Sequence, residues 1–100
     1  MSMQIPVQCT SIIFGIRHDL TQPGVSCTLI DQDYKTYSLV FIEADAVRDV
    51  FTAFAVSKLH TARGKWVFLE LDDTGKALGI SGYDYSTIIA YCDPELSVTR

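Results

Sequence analysis

Residues 43–60, Glu43-Ala44-Asp45-Ala46-Val47-Arg48-Asp49-Val50-Phe51-Thr52-Ala53-Phe54-Ala55-Val56-Ser57-Lys58-Leu59-His60, decide the fold, because here the apolar period changes from two to about 3.6. Val47, Val50, Phe51, Phe54, Ala55 and Leu59 fall on one helical stripe. The spacing predicts a single amphipathic helix over 45–60. Asp45 is the expected N-cap, since its carboxylate can accept from the open amides of the first turn and meets the positive end of the helix dipole. Lys58, His60 and Arg63 gather near the other end, and Gly64 suits a left-handed C′ position.

On the N-terminal side the pattern is extended. Ile5, Val7 and Cys9 share one parity and Ile12, Phe14 and Ile16 the other, with the phase change near Thr10 and Ser11, which predicts a long strand carrying a bulge or, equally, two short strands with a bend between them. Pro23-Gly24 makes a turn, Val25, Cys27 and Leu29 alternate with Ser26 and Thr28, and Asp31-Gln32-Asp33 punctuates before Tyr34–Ile42. Leu39 to Ile42 are apolar at consecutive positions, so this third strand is expected to be covered on both faces and to lie centrally in its sheet.

On the C-terminal side, Lys65–Leu71, the turn Asp72-Asp73-Thr74-Gly75-Lys76 and Ala77–Ser81 form a hairpin. Gly82-Tyr83-Asp84-Tyr85 connects to a last strand, Ser86–Cys92, and 93–100 reads as a loose tail after Asp93-Pro94. The order is β-β-β-α-β-β-β. Short connections imply antiparallel pairing, giving an α+β domain over residues 1–100, a mostly antiparallel sheet of five to six strands with the helix on one face. One flat sheet and a half-barrel are equally compatible with this pattern.

The composition limits the chemistry. Eight Lys and Arg against 12 Asp and Glu give a net charge of -4, which opposes a phosphate backbone at long range and argues against direct nucleic-acid binding. No apolar run approaches the roughly 20 residues of a bilayer span, and the opening residues lack a signal-peptide pattern, so a soluble cytoplasmic protein without membrane contact is expected. Cys9, Cys27 and Cys92 are odd in number and none is in a C-x-x-C pair, which fits buried free thiols in a reducing compartment.

Motifs that imply catalysis or cofactors fail on context. Asp73-Thr74-Gly75 matches the triplet of retroviral-type aspartic proteases, but only 25 residues follow Gly75, and Lys76 stands beside it; the triplet reads as turn chemistry. Gly75-Lys76 does not complete a phosphate loop, and Asp31, Asp33, Asp72 and Asp73 do not reproduce a calcium loop. His18 and His60 have no metal-spaced partners. No catalytic residue, cofactor or metal is therefore assigned. Lys58, His60, Arg63 and Lys65 form a local positive patch that reads first as complement to the helix C-terminus and only second as an anion contact.

Function follows by exclusion. A small acidic domain of this kind is expected to be a protein-binding module of the inhibitor, immunity or adaptor type, occupying a surface of a larger partner. Tyr83, Asp84 and Tyr85 in one loop and Asp31, Asp33 and Tyr34 in one turn are the expected contacts, the tyrosines as anchors and the carboxylates toward a basic patch. Alternatives are acidic phosphate mimicry against a nucleic-acid-binding defence complex, as in small phage-encoded anti-restriction or anti-CRISPR-like antagonists; a thiol or acid-base enzyme using Cys9, Cys27, His18 or His60; and a homodimer formed through a sheet edge.

Overall fold

The longest period-2 stretch organises the molecule. In the computed structural model, which describes residues 3–15, 24–83, 88–93 and 97–99, it forms β1 (Met3–Gly15), the middle strand of one antiparallel sheet. β2 (Gly24–Asp31) pairs on one side of it and β4 (Trp66–Leu71) on the other. β3 (Thr36–Phe41), β5 (Ala77–Ser81), β6 (Ile89–Tyr91) and a two-residue β7 (Val98–Thr99) complete the order β6-β5-β4-β1-β2-β3-β7. The expected β-β-β-α-β-β-β order is present, with β7 added.

The sequence phase change is a bulge. Cys9 pairs with Leu29 and Ser11 with Thr28, leaving Thr10 as the extra residue, so Ile5, Val7, Cys9 and Ile12 all face the core. Pro6 is tolerated in this central strand because β2 reaches only as far as Val7, and Pro6 is paired with β4 alone.

The sheet curls into a half-barrel. Cys92 donates its N–H to the Leu78 carbonyl beside β6 (3.0 Å), and the next residue, Asp93, donates to the Val40 carbonyl of β3 (2.7 Å). Consecutive amides thus tie the two flanks of the sheet together. Leu29, Leu39, Phe41, Val67, Leu69 and Ile80 fill the interior with no exposed surface.

Two expectations are corrected here. β3 is not central: it lies next to the edge, with only β7 beyond. Val40, which alternates out of the core cluster, is nevertheless fully buried, and its backbone is bonded by Asp93 N–H and by the Ser97 hydroxyl (3.1 Å). The chain after β6, and not a neighbouring central strand, supplies those partners. The segment from 93 onward is accordingly not a loose tail throughout, since Val98 and Thr99 pair with Ser38 and Tyr37.

The helix also differs at both ends. α1 spans Ala44–Phe54, with Glu43 at the N-cap and no side-chain cap bond; Asp45 lies inside the first turn, where it still complements the dipole. Ala46, Val50, Ala53 and Phe54 form its buried face against β4, β5 and β6. Fully burying Val50 and Phe54 contributes about 1.5–3 kcal/mol each. α1 stops because Ala55 adopts φ 55°, ψ 44°, donating to Thr52, while Val56 N–H donates to Phe51: a left-handed cap with 5→2 and 6→1 bonds. Lys58, His60 and Arg63 therefore do not sit at the α1 C-terminus, whose last turn holds no basic residue, but on and beside a separate 3-10 turn, Leu59–Ala62.

A left-handed alanine carries Cβ strain that glycine avoids. Ala55→Gly is expected to raise stability by about 1 kcal/mol, read as a higher urea midpoint at an unchanged slope.

Candidate functional site

The face of the sheet turned away from α1 carries the largest exposed side chains in register. Alternation places Trp66, Phe68 and Glu70 of β4 outward while Val67, Leu69 and Leu71 enter the core. Pairing then sets three rows: Gln8 beside Trp66; Pro6, Phe68 and Ser81; and Gln4, Glu70, Gly79 and Tyr91. Tyr83, just past β5, lays its ring against Phe68 at 4.3 Å between centroids and 54° between planes. Trp66 is 43% exposed and Tyr83 53%, and Tyr91 is exposed as well. Phe68 and Tyr83 thus make an aromatic platform on this face, with Trp66 and Tyr91 exposed on the same side of the sheet.

Beneath it lies a buried carboxylate. Glu70, 2% exposed, accepts from Gln4 Nε2 (2.7 Å) and from the Ser81 hydroxyl (3.1 Å) through Oε1. Its Oε2 has no partner among the described residues.

The acidic turn stands apart from these rings. Phe68 pairs with the outward Pro6, whereas Asp31 pairs with Val7, which faces the core, so the Asp31 side chain lies on the opposite sheet face, two strands from β4. Asp31 organises the turn: Oδ1 accepts from the N–H groups of Asp33 and Lys35 (2.9 Å each) and Oδ2 from the Tyr37 hydroxyl (3.1 Å). Lys35 Nζ stands 5.7 Å from the centre of the Tyr37 ring. Burial and the Asp31 carboxylate push the Tyr37 hydroxyl up to about 12.

The β4–β5 hairpin repeats this construction. Asp72 Oδ1 accepts from the Thr74 N–H, the Thr74 hydroxyl and the Lys76 N–H, at 2.9, 2.6 and 2.9 Å. Both turns close through the same backbone bonds, Asp31 N–H to Lys35 and Tyr34 N–H to Asp31, matched by Asp72 N–H to Lys76 and Gly75 N–H to Asp72. The position that must be left-handed holds Gly75 at φ 84° in one turn and Tyr34 at φ 65° in the other. Glycine adopts this conformation freely; tyrosine does so against strain of about 1 kcal/mol, and its side chain is left 83% exposed.

These hydrogen bonds make the turns acid-sensitive. Partial desolvation pulls Asp31 up but is outweighed by the Lys35 and Asp33 amides, the Tyr37 hydroxyl and the Lys35 charge, so its carboxyl is held low. The Thr74 hydroxyl and the Lys76 amide hold Asp72 low, against slight desolvation. Carboxyls depressed in the folded state stabilise it above their unfolded pKa, near 4, and that contribution is lost as pH falls through the folded value. The urea midpoint is therefore expected to fall between pH 5 and pH 3, and to fall less in an Asp31→Asn, Asp72→Asn double variant, which keeps the Oδ1 acceptors without titrating.

Of the expected contacts, the structure places Tyr83 on the platform and Asp31, Asp33 and Tyr34 together in the β2–β3 turn, away from it. Asp84 and Tyr85 lie outside the described residues. Sequence reasoning missed Trp66 and Tyr91; the parity of Trp66, Phe68 and Glu70 was the available signal, but not which parity the helix would cover.

The thiol candidates lie together in the core. Cys9, Cys27 and Cys92 are all buried free thiols facing one core, and burial raises each pKa, Cys27 most, with the neighbouring Cys9 and Cys92 adding to it. Protonated core thiols are poor nucleophiles at neutral pH. His60 is exposed and His18 lies outside the described residues. No helix among the described residues is long and apolar enough to cross a membrane. Comparison with protein-family models, with curated proteins and with solved structures finds no match to this chain.

Proposed function

We propose that this protein is a binding module that occupies a surface of a larger protein partner. The observation that carries the reading is the aromatic group of Trp66, Phe68 and Tyr83 on the sheet face opposite α1. Trp and Tyr supply large contact area with few rotatable bonds, which is why they dominate interface hot spots. The partner surface that meets these rings is accordingly apolar at its centre. Tyr34 supports the same reading from strain: a side chain kept in a left-handed position where glycine serves an identical turn points to a role outside folding.

Tyr34→Gly separates the two roles. It is expected to raise stability by about 1 kcal/mol while weakening partner capture at least ten-fold. Trp66→Ala is expected to weaken capture to a similar extent with the fold retained, since Trp66 lies outside the core. Immobilised wild type and variants exposed to a lysate from the source cell, with the bound partner then purified and titrated, give the comparison. Undiminished binding by both variants overturns the proposal.

A further inference from the structure

The positive patch loses its structural explanation once α1 ends at Ala55, because Lys58, His60, Arg63 and Lys65 no longer complement a helix C-terminus. From Val50 to Leu69 the chain contains no acidic residue. Among the described residues, Arg63 makes no ion pair. The segment is strapped to β1 on one side of the bulge: Cys9 N–H donates to the Lys65 carbonyl (2.9 Å), Gly64 N–H to the Cys9 carbonyl (2.7 Å), and Gln8 Nε2 to the Gly64 carbonyl (3.0 Å). Fully buried Ala62 anchors the 3-10 turn from below.

Between the strap and the bulge is a cavity of about 310 Å³, open to solvent and lined by Thr10, Ser11, Ile12, His60 and Arg63. The bulge creates it by turning Thr10 and Ser11 out of the ladder's regular alternation. Thr10 is fixed by donating its hydroxyl to the Thr28 carbonyl (3.2 Å). The Ser11 hydroxyl, the His60 ring and the Arg63 guanidinium are left as donors, and none has a partner among the described residues. The Arg63 charge also reaches the Cys9 thiol behind the wall, where it works against the dominant effect of burial.

We propose that this cavity is a binding site for a phosphoryl group carried on a small molecule. A guanidinium fork, an imidazole and a hydroxyl line the one cavity, a donor-rich set that suits a phosphoryl oxyanion. Ile12 provides an apolar wall for the attached carbon skeleton. The volume is at the lower end of ligand pockets, enough for a phosphomonoester of a few carbons and too small for a dinucleotide. The site is distinct from the aromatic platform: it is built from the bulge and the strap, and shares no residue with the interface proposed above.

The test is a ¹H–¹⁵N NMR titration of the full chain at constant ionic strength with glycerol phosphate, inorganic phosphate, unphosphorylated glycerol and chloride. Saturable shifts confined to residues 10–12 and 60–63 are expected with both phosphates and with neither control. Tighter binding of the ester assigns the Ile12 wall a role; equal binding makes the phosphoryl group the whole of what is recognised. Arg63→Ala is expected to weaken binding at least ten-fold, whereas Lys76→Ala, which removes a cation from the β4–β5 hairpin, leaves it unchanged. Ser11→Ala, at an exposed position, gives a second variant with a smaller loss. Non-saturating shifts, shifts equal to those in chloride, or equal effects of Arg63→Ala and Lys76→Ala overturn the proposal without bearing on the platform.

Discussion

Gly79→Ala is expected to destabilise the protein by about 3 kcal/mol or more, lowering the thermal midpoint by more than about 12 °C. A Cβ at this position meets the Ala90 carbonyl oxygen at 2.0 Å, the Ala90 carbonyl carbon at 2.9 Å and the Tyr91 Cα at 3.0 Å. All three are backbone atoms of β6, so no side-chain rotation relieves the contact, and the variant must displace the strand. β6 is only three residues long and leads into Asp93, whose amide ties the barrel's flanks together. Its displacement is expected to open that tie. Hydrogen exchange at Cys92 and Asp93 should accelerate more than at β1 and β2, and urea unfolding should show the loss in free energy. Gly15→Ala is the control: nothing lies within 4 Å of its Cβ, and its effect should stay within about 0.5 kcal/mol. Equal stability of the two variants would mean that β6 does not pack on β5 as described.

Gly82→Ala tests the other packing contact that defines the fold. Its Cβ comes within 2.3 Å of the Ala53 carbonyl oxygen and 3.1 Å of the Ala53 carbonyl carbon and Cα, in the last turn of α1. The helix is seated directly on the chain leaving β5, with no room for a methyl group. A loss of about 2–3 kcal/mol is expected, with the perturbation concentrated in the helix: weakened protection of amides in 50–56 and broadened signals from Phe54. Gly82 also precedes Tyr83, so the variant should disturb the ring contact with Phe68. The Trp66→Ala variant, by contrast, should leave helix protection intact. That difference distinguishes damage to the scaffold from damage to the proposed contact surface.

The two turns show how much of the candidate surface was legible. Asp31-Gln32-Asp33 and Asp72-Asp73-Thr74-Gly75 were readable as turns because Asp and Gly have local, sequence-encoded reasons to be there. That Tyr34 takes the left-handed position filled by Gly75 in the second turn was not readable, since it depends on hairpin register, and register is set by pairing between distant segments. Likewise Trp66 and Phe68 alternate visibly with Val67 and Leu69, yet both sets are apolar. Only the side on which α1 lands decides which set becomes core and which becomes surface. Ala55 misled for a related reason: it fits the apolar stripe, but the chain must leave the helix there to cross to β1, and the backbone accepts a left-handed alanine to do so.

By itself, the sequence determined much of what depends on near neighbours: the period change at residues 43–60, the phase change at Thr10 and Ser11, the Asp-led turns, the β-β-β-α-β-β-β order and hence the α+β class. These follow from side-chain alternation and turn stereochemistry, which act within a few residues. The tertiary structure alone decided the closing of the sheet through Asp93 and Val40, the face that α1 covers, the burial of Val40 and Glu70, and the cavity between the bulge and Arg63. Each of those joins segments separated by tens of residues, where packing geometry, and not local preference, selects among arrangements of similar local energy.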